Sequence, residues 1–194
     1  MKTVILYRSK HHGNTKKLVD AIVAAHPEVD TIDVATLGKN EYPDLSSYHC
    51  IGFASGIYYG KFDADLRRVA DHVLQAGDKV FLMITYGGAS KDYGKDMAAI
   101  AQLKMASIVA THGCVGFDTW GPFKLVGGMG KGHPTAEEVQ GAVDFYDTFE
   151  RDYGEILVNE YEKRAKRLAW EAAHPRGGLL DDIKRTAKKI AGKR

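Results

Sequence analysis

The feature that most constrains the fold is a repeated alternation between short apolar runs and helical patterns. Strand-like runs cover residues 3–7, 31–35, 50–54, 80–85 and, more weakly, 114–119. The first, third and fourth runs are almost continuously apolar, as in parallel strands that are covered on both faces. Helical stripes follow in four sets: Leu18, Ile22 and Ala25; Leu66, Val69, Val73 and Leu74; Met97, Ile100, Leu103 and Ile108; Ala136, Val139, Val143 and Tyr146.

This alternation predicts an α/β fold with a doubly wound, five-stranded parallel sheet in the order 2-1-3-4-5. Parallel strands need crossover connections, which are normally right-handed. The connection from the second run to the third is short, so we expect a turn or a stunted helix there. Ligands of such sheets bind beyond the carboxyl ends of the strands, where the winding reverses. The loops after the first, third and fourth strands are therefore the candidate site.

Composition is that of a globular protein that does not span a membrane. The chain has 194 residues, of which 44% are hydrophobic and 27% charged, and no apolar stretch approaches 18 residues. We expect a cytoplasmic protein without a transmembrane segment. Cys50 and Cys114 have neither zinc-motif spacing nor a disulfide framework, so we expect two buried, reduced thiols.

Charge divides the chain into two parts. Residues 1–150 contain 15 Lys/Arg and 18 Asp/Glu, a net charge of −3, whereas residues 151–194 contain 12 and 7, a net charge of +5. We predict a domain over 1–150 and a basic helical extension over 151–194, with helices at 151–173 and 179–194. We expect these helices to pack on the domain or across a homodimer. The alternatives are docking on an acidic redox partner or on an anionic membrane surface, and nucleic-acid binding is not expected.

The loop after the first strand reads "SKHHGNT", residues 9–15. Ser9 and Thr15 supply hydroxyl groups, Gly13 permits a tight turn, and Asn14 is a candidate cap of the following helix. A loop of this kind at a helix N-terminus is suited to an anion, because the helix dipole and the unpaired N–H groups both favour negative charge. The pattern is equally typical of an ordinary capped turn between a strand and a helix.

The loops after the third and fourth strands are rich in glycine and tyrosine. The first reads "SGIYYGKFDADL" and the second "TYGGASKDYG". Exposed aromatic side chains between glycines are suited to a planar ring, although the tyrosines could instead fold back on the core. Together with an anion-binding first loop, the two loops describe a mononucleotide site.

The motifs resemble those of the flavodoxin family. "YRSKHHGNTKKL" is similar to the flavodoxin phosphate loop, "DLSSYHCIGFASGIYYGKF" to the third strand and its loop, and "FLMITYGGA" to the fourth strand and the loop that contacts the isoalloxazine ring. The similarity covers roughly residues 1–150. It implies the flavodoxin-like fold, FMN as cofactor and redox proteins as partners.

Carried over by position, the resemblance assigns three sets of FMN-binding residues and no catalytic or metal-binding residue. The phosphate set is Ser9, Lys10, His11, His12, Gly13, Asn14 and Thr15. One side of the ring is flanked by Ser55, Gly56, Ile57, Tyr58, Tyr59 and Gly60, with Tyr58 or Tyr59 as the stacking residue. The other edge is lined by Thr85, Tyr86, Gly87, Gly88, Ala89 and, as an addition, Ser90. Typical flavodoxins have hydroxyl groups where this chain has two histidines, so the phosphate is expected to meet imidazole.

The remaining patterns carry weaker functional signals. The adjacent histidines lack a third ligand at a suitable spacing for a metal ion. The segment "GGMGKGHP", residues 127–134, matches no nucleotide-binding motif and is interpreted as a connection, with a flavin or substrate contact as the alternative. Thr135 and Glu138 after it form a predicted capping box. A phosphoacceptor receiver domain is excluded, because Ala54 and Ser55 stand where its aspartate would be.

These observations predict an electron-transfer protein that shuttles electrons between redox partners. An FMN-dependent oxidoreductase of the same fold is the alternative, either a quinone reductase or an enzyme similar to protoporphyrinogen oxidase, which "SGIYYGKF" also resembles. A third possibility is a module that binds partners without flavin.

Overall fold

The computed structural model describes residues 1–119 and 127–174. Its strands form one parallel sheet in the order β2-β1-β3-β4-β5, as predicted. The strands are β1 (Thr3–Arg8), β2 (Asp30–Asp33), β3 (Cys50–Gly56), β4 (Lys79–Tyr86) and β5 (Ser107–Val115). The helices are α1 (Asn14–Ala25), α2 (Ala64–Val73), α3 (Lys95–Leu103) and α4 (Ala136–Ala173).

The sheet is buried on both faces, which explains the continuous apolar runs of its central strands. In β1, Val4 and Leu6 belong to a core with α2 and α3, whereas Ile5 belongs to a second core with α1 and α4. The alternation follows from the strand period of two residues. Gly52 in β3 makes room for the Phe81 ring, since a Cβ atom there would lie 2.4 Å from the ring. The predicted two-sided fold is therefore confirmed.

The structure corrects two strand predictions and one helix prediction. Strand β2 ends at Asp33 instead of residue 35, because the Asp33 carboxylate accepts the Ala35 N–H (2.9 Å) and starts a 3₁₀ helix, Val34–Thr36. The fifth strand begins at Ser107, not at residue 114. It therefore includes Ile108, which the sequence pattern predicts in the third helix. Strand β5 lies at the sheet edge and most of its residues are partly or fully exposed, so it tolerates polar residues that weaken the apolar pattern.

The C-terminal part of the chain also differs from prediction. The helix expected over 151–173 is the continuation of α4, which begins at Ala136. The predicted capping box at its start is confirmed: the Thr135 N–H donates to Glu138 Oε2 (2.7 Å), and the Glu138 N–H donates to Thr135 Oγ1 (3.3 Å). The second predicted helix, 179–194, lies outside the described residues.

Contacts between residues divide the chain into two compact units, Met1–Val158 and Asn159–Arg194. The domain boundary expected after residue 150, and the homodimer, stay predictions. Among the residues that the structure describes, no helix combines the length and the apolar character needed to cross a membrane.

Candidate functional site

The loops after β1, β3 and β4 meet at the carboxyl edge of the sheet and line one pocket. The first loop contributes His11, Asn14 and Thr15, the second residues 56–60, and the third residues 85–88. The other residues assigned to FMN do not line this pocket; these are Ser9, Lys10, His12, Gly13, Ser55, Ala89 and Ser90. Their part in cofactor binding stays a prediction.

The first loop reverses the chain before α1 by means of two left-handed residues, His12 (φ 54°) and Gly13 (φ 69°). Gly13 occupies the N-cap position and has no side chain to cap the helix, so the expected cap by Asn14 is wrong. Asn14 is instead the first helical residue, and its Nδ2 donates to the Phe117 carbonyl (2.9 Å). The Ser9 hydroxyl accepts the N–H of Lys16 (3.3 Å). The Asn14 N–H donates to the His11 carbonyl (3.3 Å).

The basic residue Lys10 joins the first loop to the second. Its ammonium group forms an ion pair with Asp63, whose side chain is almost fully buried, and its backbone N–H donates to the Tyr58 hydroxyl (3.1 Å). The Asp63 carboxylate also accepts the Asp65 N–H (2.9 Å) and so caps α2. This network fixes Tyr58 relative to the end of β1.

The two histidines pack against different neighbours. The His11 ring lies 5.6 Å from the Tyr58 ring, whereas the His12 ring lies 4.3 Å from that of Phe117 and its Nε2 is 2.9 Å from the Thr119 hydroxyl. Within the described parts of the chain, neither histidine belongs to a group of three metal-binding side chains. His11 is thus on the pocket wall, while His12 supports the connection after β5.

The second loop forms a tight turn that separates its two tyrosines. Tyr58 and Lys61 exchange backbone hydrogen bonds (2.8 and 3.1 Å) around Tyr59 (φ 53°) and Gly60 (φ 78°). Tyr58 folds back towards the loop after β1, and burial raises the pKa of its hydroxyl, which stays neutral. Tyr59 is 83% exposed. Tyr58 is therefore packed against the first loop, whereas Tyr59 is exposed, and the choice between them as the stacking residue stays a prediction.

The third loop is tied to the other two by two contacts and is supported by a third contact within itself. The hydroxyl oxygens of Thr15 and Thr85 are 2.9 Å apart and buried, and the Ile57 N–H donates to the Thr85 carbonyl (3.0 Å). The Tyr93 hydroxyl donates to the Gly88 carbonyl (2.7 Å) and so supports the glycine pair from behind. These bonds join the three loops at the carboxyl edge of the sheet.

A fourth wall follows β5, and the sequence predictions missed most of it. It consists of Gly116, Phe117, Asp118 and Met129, and Tyr93 adds to the third loop. Asp118 and Met129 pair through two backbone hydrogen bonds (2.8 and 2.7 Å). A Cβ atom on Gly87 would lie 2.7 Å from the Asp118 carboxylate, so only glycine allows this close approach. Met129 lies in the glycine-rich segment 127–134, which was the one sequence signal for this wall.

One polar atom in the pocket wall lacks a partner among the described residues. Asn14 is 7% exposed, and its Oδ1 atom is buried without a hydrogen-bond donor. Leaving a buried acceptor unpaired costs about 1–3 kcal/mol, so a hydroxyl-bearing ligand would relieve that cost. The surrounding groups also suit a mononucleotide: a helix N-terminus, two aromatic side chains in the second loop, and glycine backbone in the third.

Comparison with known proteins agrees with this geometry. A protein of Methanocaldococcus jannaschii called uncharacterized protein MJ0298 is 32% identical over 147 residues, which cover 75% of this chain and 95% of the relative. The fold is similar to that of oxidised flavodoxin 1 from Bacillus cereus, with 17% identity and a TM-score of 0.57 over 78% of this chain and 98% of the other. It is also similar to Fusobacterium nucleatum flavodoxin bound to flavin mononucleotide, with 14% identity and a TM-score of 0.50 over 76% of this chain and 98% of the other.

The family model of the flavodoxin domain matches residues 4–116. The matched region runs from β1 through β5 and includes all three loops predicted from the sequence. With the strand order and the site at the carboxyl edge of the sheet, the match establishes that this chain belongs to the flavodoxin family.

Proposed function

We propose that this chain binds FMN in the pocket formed by the loops after β1, β3, β4 and β5, and transfers electrons between redox partner proteins. The observation that carries the proposal is the convergence of these loops on one pocket, whose wall contains the Asn14 Oδ1 atom, which has no hydrogen-bond partner among the described residues. When bound, FMN supplies the one- and two-electron chemistry that no side chain of the protein provides.

In this proposal the first loop binds the phosphate. The N-terminus of α1, together with the hydroxyl groups of Ser9 and Thr15, offers hydrogen-bond donors and a favourable dipole for an anion. Lys10 and Lys16 already form ion pairs with Asp63 and Asp20, so the charge of these two lysines is largely compensated. Backbone and hydroxyl donors are therefore expected to contribute more to phosphate binding than lysine charge.

In this proposal the second and third loops position the planar ring. Tyr58 is held by the Lys10 N–H, and Tyr59 is exposed at the pocket and is suited to covering an aromatic ligand. On the other side, backbone groups at Gly87 and Gly88 are accessible because they carry no side chain. A flat ring packed between these loops would be shielded from water on its faces.

The direct test is the absorption spectrum of the purified protein, followed by titration of the FMN-free protein with FMN. Thr15→Ala is expected to weaken FMN binding by about 1–3 kcal/mol, since a hydrogen bond from the Thr15 hydroxyl to the phosphate is lost. The matched control is Thr31→Ala, on an exposed position of edge strand β2, which should leave the affinity unchanged. A colourless protein that does not bind added FMN would refute the proposal.

A second function, an FMN-dependent oxidoreductase, is favoured by the carboxylate of Asp118 at the pocket wall. Electron transfer alone needs no acid or base, whereas reduction of a quinone consumes protons that a carboxyl group can help deliver. Steady oxidation of NADPH with a quinone, reduced in Asp118→Asn at unchanged FMN affinity, would favour the enzyme. If the bound FMN is reduced but NADPH is not oxidised continuously in the presence of a quinone, the electron-carrier function is favoured.

A further inference from the structure

Three exposed lysines lie beside the pocket, each on a different loop. Lys61 follows the last pocket residue of the second loop, Lys91 lies in the third loop, and Lys131 lies two residues after Met129 in the fourth wall. Within the part of the chain that the structure describes, none of the three forms an ion pair. This end of the molecule therefore carries three positive charges without a paired carboxylate.

The carboxylates of the same loops do not cancel these charges. Asp63 is almost fully buried and pairs with Lys10, and Asp92 pairs with Lys95 (2.6 Å). Asp118 is the remaining carboxylate of the described loops, and it lies partly buried in the pocket wall. An FMN phosphate at the N-terminus of α1 has its charge opposed by the helix dipole. The exposed charge beside the pocket is therefore positive.

The rest of the domain carries the opposite sign. Residues 1–150 have a net charge of −3, although they include the three lysines. Exposed carboxylates lie at the amino edge of the sheet, where Glu28 and Asp30 flank the start of β2 and Asp147 contacts His26. Such a separation of charge orients an acidic partner towards the pocket before contact and speeds its association.

An exposed aromatic side chain adds to this surface. Tyr59 lines the pocket, is 83% exposed and lies two positions from Lys61. Tyrosine is enriched in protein interfaces, whereas charged residues at the rim steer the approach of the partner. A redox partner has to bring its own redox group close to the flavin, so it has to bind at this end of the molecule.

We propose that the redox partner of this chain docks over the pocket through a surface rich in Asp and Glu, which contacts Lys61, Lys91 and Lys131 and covers Tyr59. The inference rests on the proposed electron-transfer function and adds to it the charge of the partner. A protein is favoured over a nucleic acid or a membrane, because the lysines are few and are spread over three loops instead of forming a continuous basic stripe.

The test compares two one-electron acceptors of opposite charge, plant plastocyanin, which is acidic, and mitochondrial cytochrome c, which is basic. The FMN-loaded protein is reduced and freed of reductant. Each chain then passes one electron to each of two acceptor molecules, which reduces Cu(II) to Cu(I) or Fe(III) to Fe(II) and releases the flavin protons to water. The rate constant for plastocyanin should fall at least about 10-fold between about 20 and 500 mM salt, whereas that for cytochrome c should not fall.

Replacing all three lysines by glutamine tests the surface directly. The variant Lys61→Gln/Lys91→Gln/Lys131→Gln should transfer electrons to plastocyanin about 10-fold more slowly at low salt and lose most of the salt dependence, at unchanged FMN affinity. The matched control removes the same charge at the amino edge of the sheet and should change the rate little; it is Lys2→Gln/Lys79→Gln/Lys104→Gln.

A second measurement does not require flavin. A carbodiimide joins a lysine amine and a carboxylate as an amide and takes up the water that is lost, becoming a urea. In a mixture of the FMN-free protein and plastocyanin, mass spectrometry should locate the cross-links at Lys61, Lys91 and Lys131, and high salt should abolish them. A chain that binds no FMN would thus refute the proposed function, while the cross-links would still test the docking surface.

Three results would overturn the proposal. The first is faster transfer to cytochrome c than to plastocyanin at low salt together with a rate for cytochrome c that falls with salt. The second is equal cross-linking of all exposed lysines. The third is sedimentation with phosphatidylserine vesicles that depends on the three lysines, without a salt-dependent rate for plastocyanin, which would assign the lysines to a membrane surface.

Discussion

The buried hydroxyl pair of Thr15 and Thr85 offers a quantitative test of how the loops after β1 and β4 are joined. The two residues are 1% and 3% exposed, and their Oγ1 atoms are 2.9 Å apart. Thr15→Val removes one hydroxyl at nearly constant volume and leaves the Thr85 hydroxyl buried without its partner. An unsatisfied buried group of this kind costs about 1–3 kcal/mol in the free energy of unfolding.

The measurement is urea denaturation of the FMN-free protein, with thermal unfolding as a second readout. The midpoint should fall at unchanged slope, and the Tm should fall by about 2–4 °C for each kcal/mol lost. The double variant Thr15→Val/Thr85→Val removes both polar groups and should recover much of the loss, because replacing both partners by apolar groups of the same shape is nearly neutral.

The double-mutant cycle also tests whether the two hydroxyl groups interact directly. Residues in direct contact show interaction free energies of about 0.5–3 kcal/mol, whereas independent sites add within about 0.3–0.5 kcal/mol. Additive losses, or a Thr15→Val loss below about 0.5 kcal/mol, would show that the hydroxyl pair does not join the loops. Thr31→Val on β2 serves as the control for the same chemical change at an exposed position.

Three further predictions concern the ring, the thiols and the start of α4. Tyr58→Ala should weaken FMN binding by about 1–3 kcal/mol in a fluorescence titration; unchanged affinity would place the ring elsewhere. Burial raises the pKa of the Cys50 thiol, and raises that of Cys114 to about 12, so neither should react with an alkylating reagent at about pH 8 until the protein is unfolded. Thr135→Ala should cost about 1 kcal/mol of stability, with Thr135→Ser as the control that keeps the cap. Partial burial opposes ionisation of Glu138, but hydrogen bonds from Thr135 and His133 lower its pKa below 4.5, so its contribution to stability is present above that pH and is lost as the pH falls further.

The first loop shows which features of the site the sequence alone predicts and which it does not. The residues of "SKHHGNT" predicted a turn into a helix and a suitable place for an anion, and α1 does begin within this loop, at Asn14. The role of Asn14 could not be read from the loop alone. Its side chain bonds the Phe117 carbonyl, 103 residues away in sequence, and that contact exists only once β5 lies beside β4.

The sequence by itself determined the fold class, the strand order and the three loops at the carboxyl edge, because hydrophobic period and turn residues are local properties. Only the tertiary structure decided the fourth wall at Asp118 and Met129, the separate positions of Tyr58 and Tyr59, and the pairing of Asp63 with Lys10. Each of these depends on side chains that are distant in the chain or on a specific backbone turn. Contacts of that kind are fixed by packing and register, which composition and spacing do not specify.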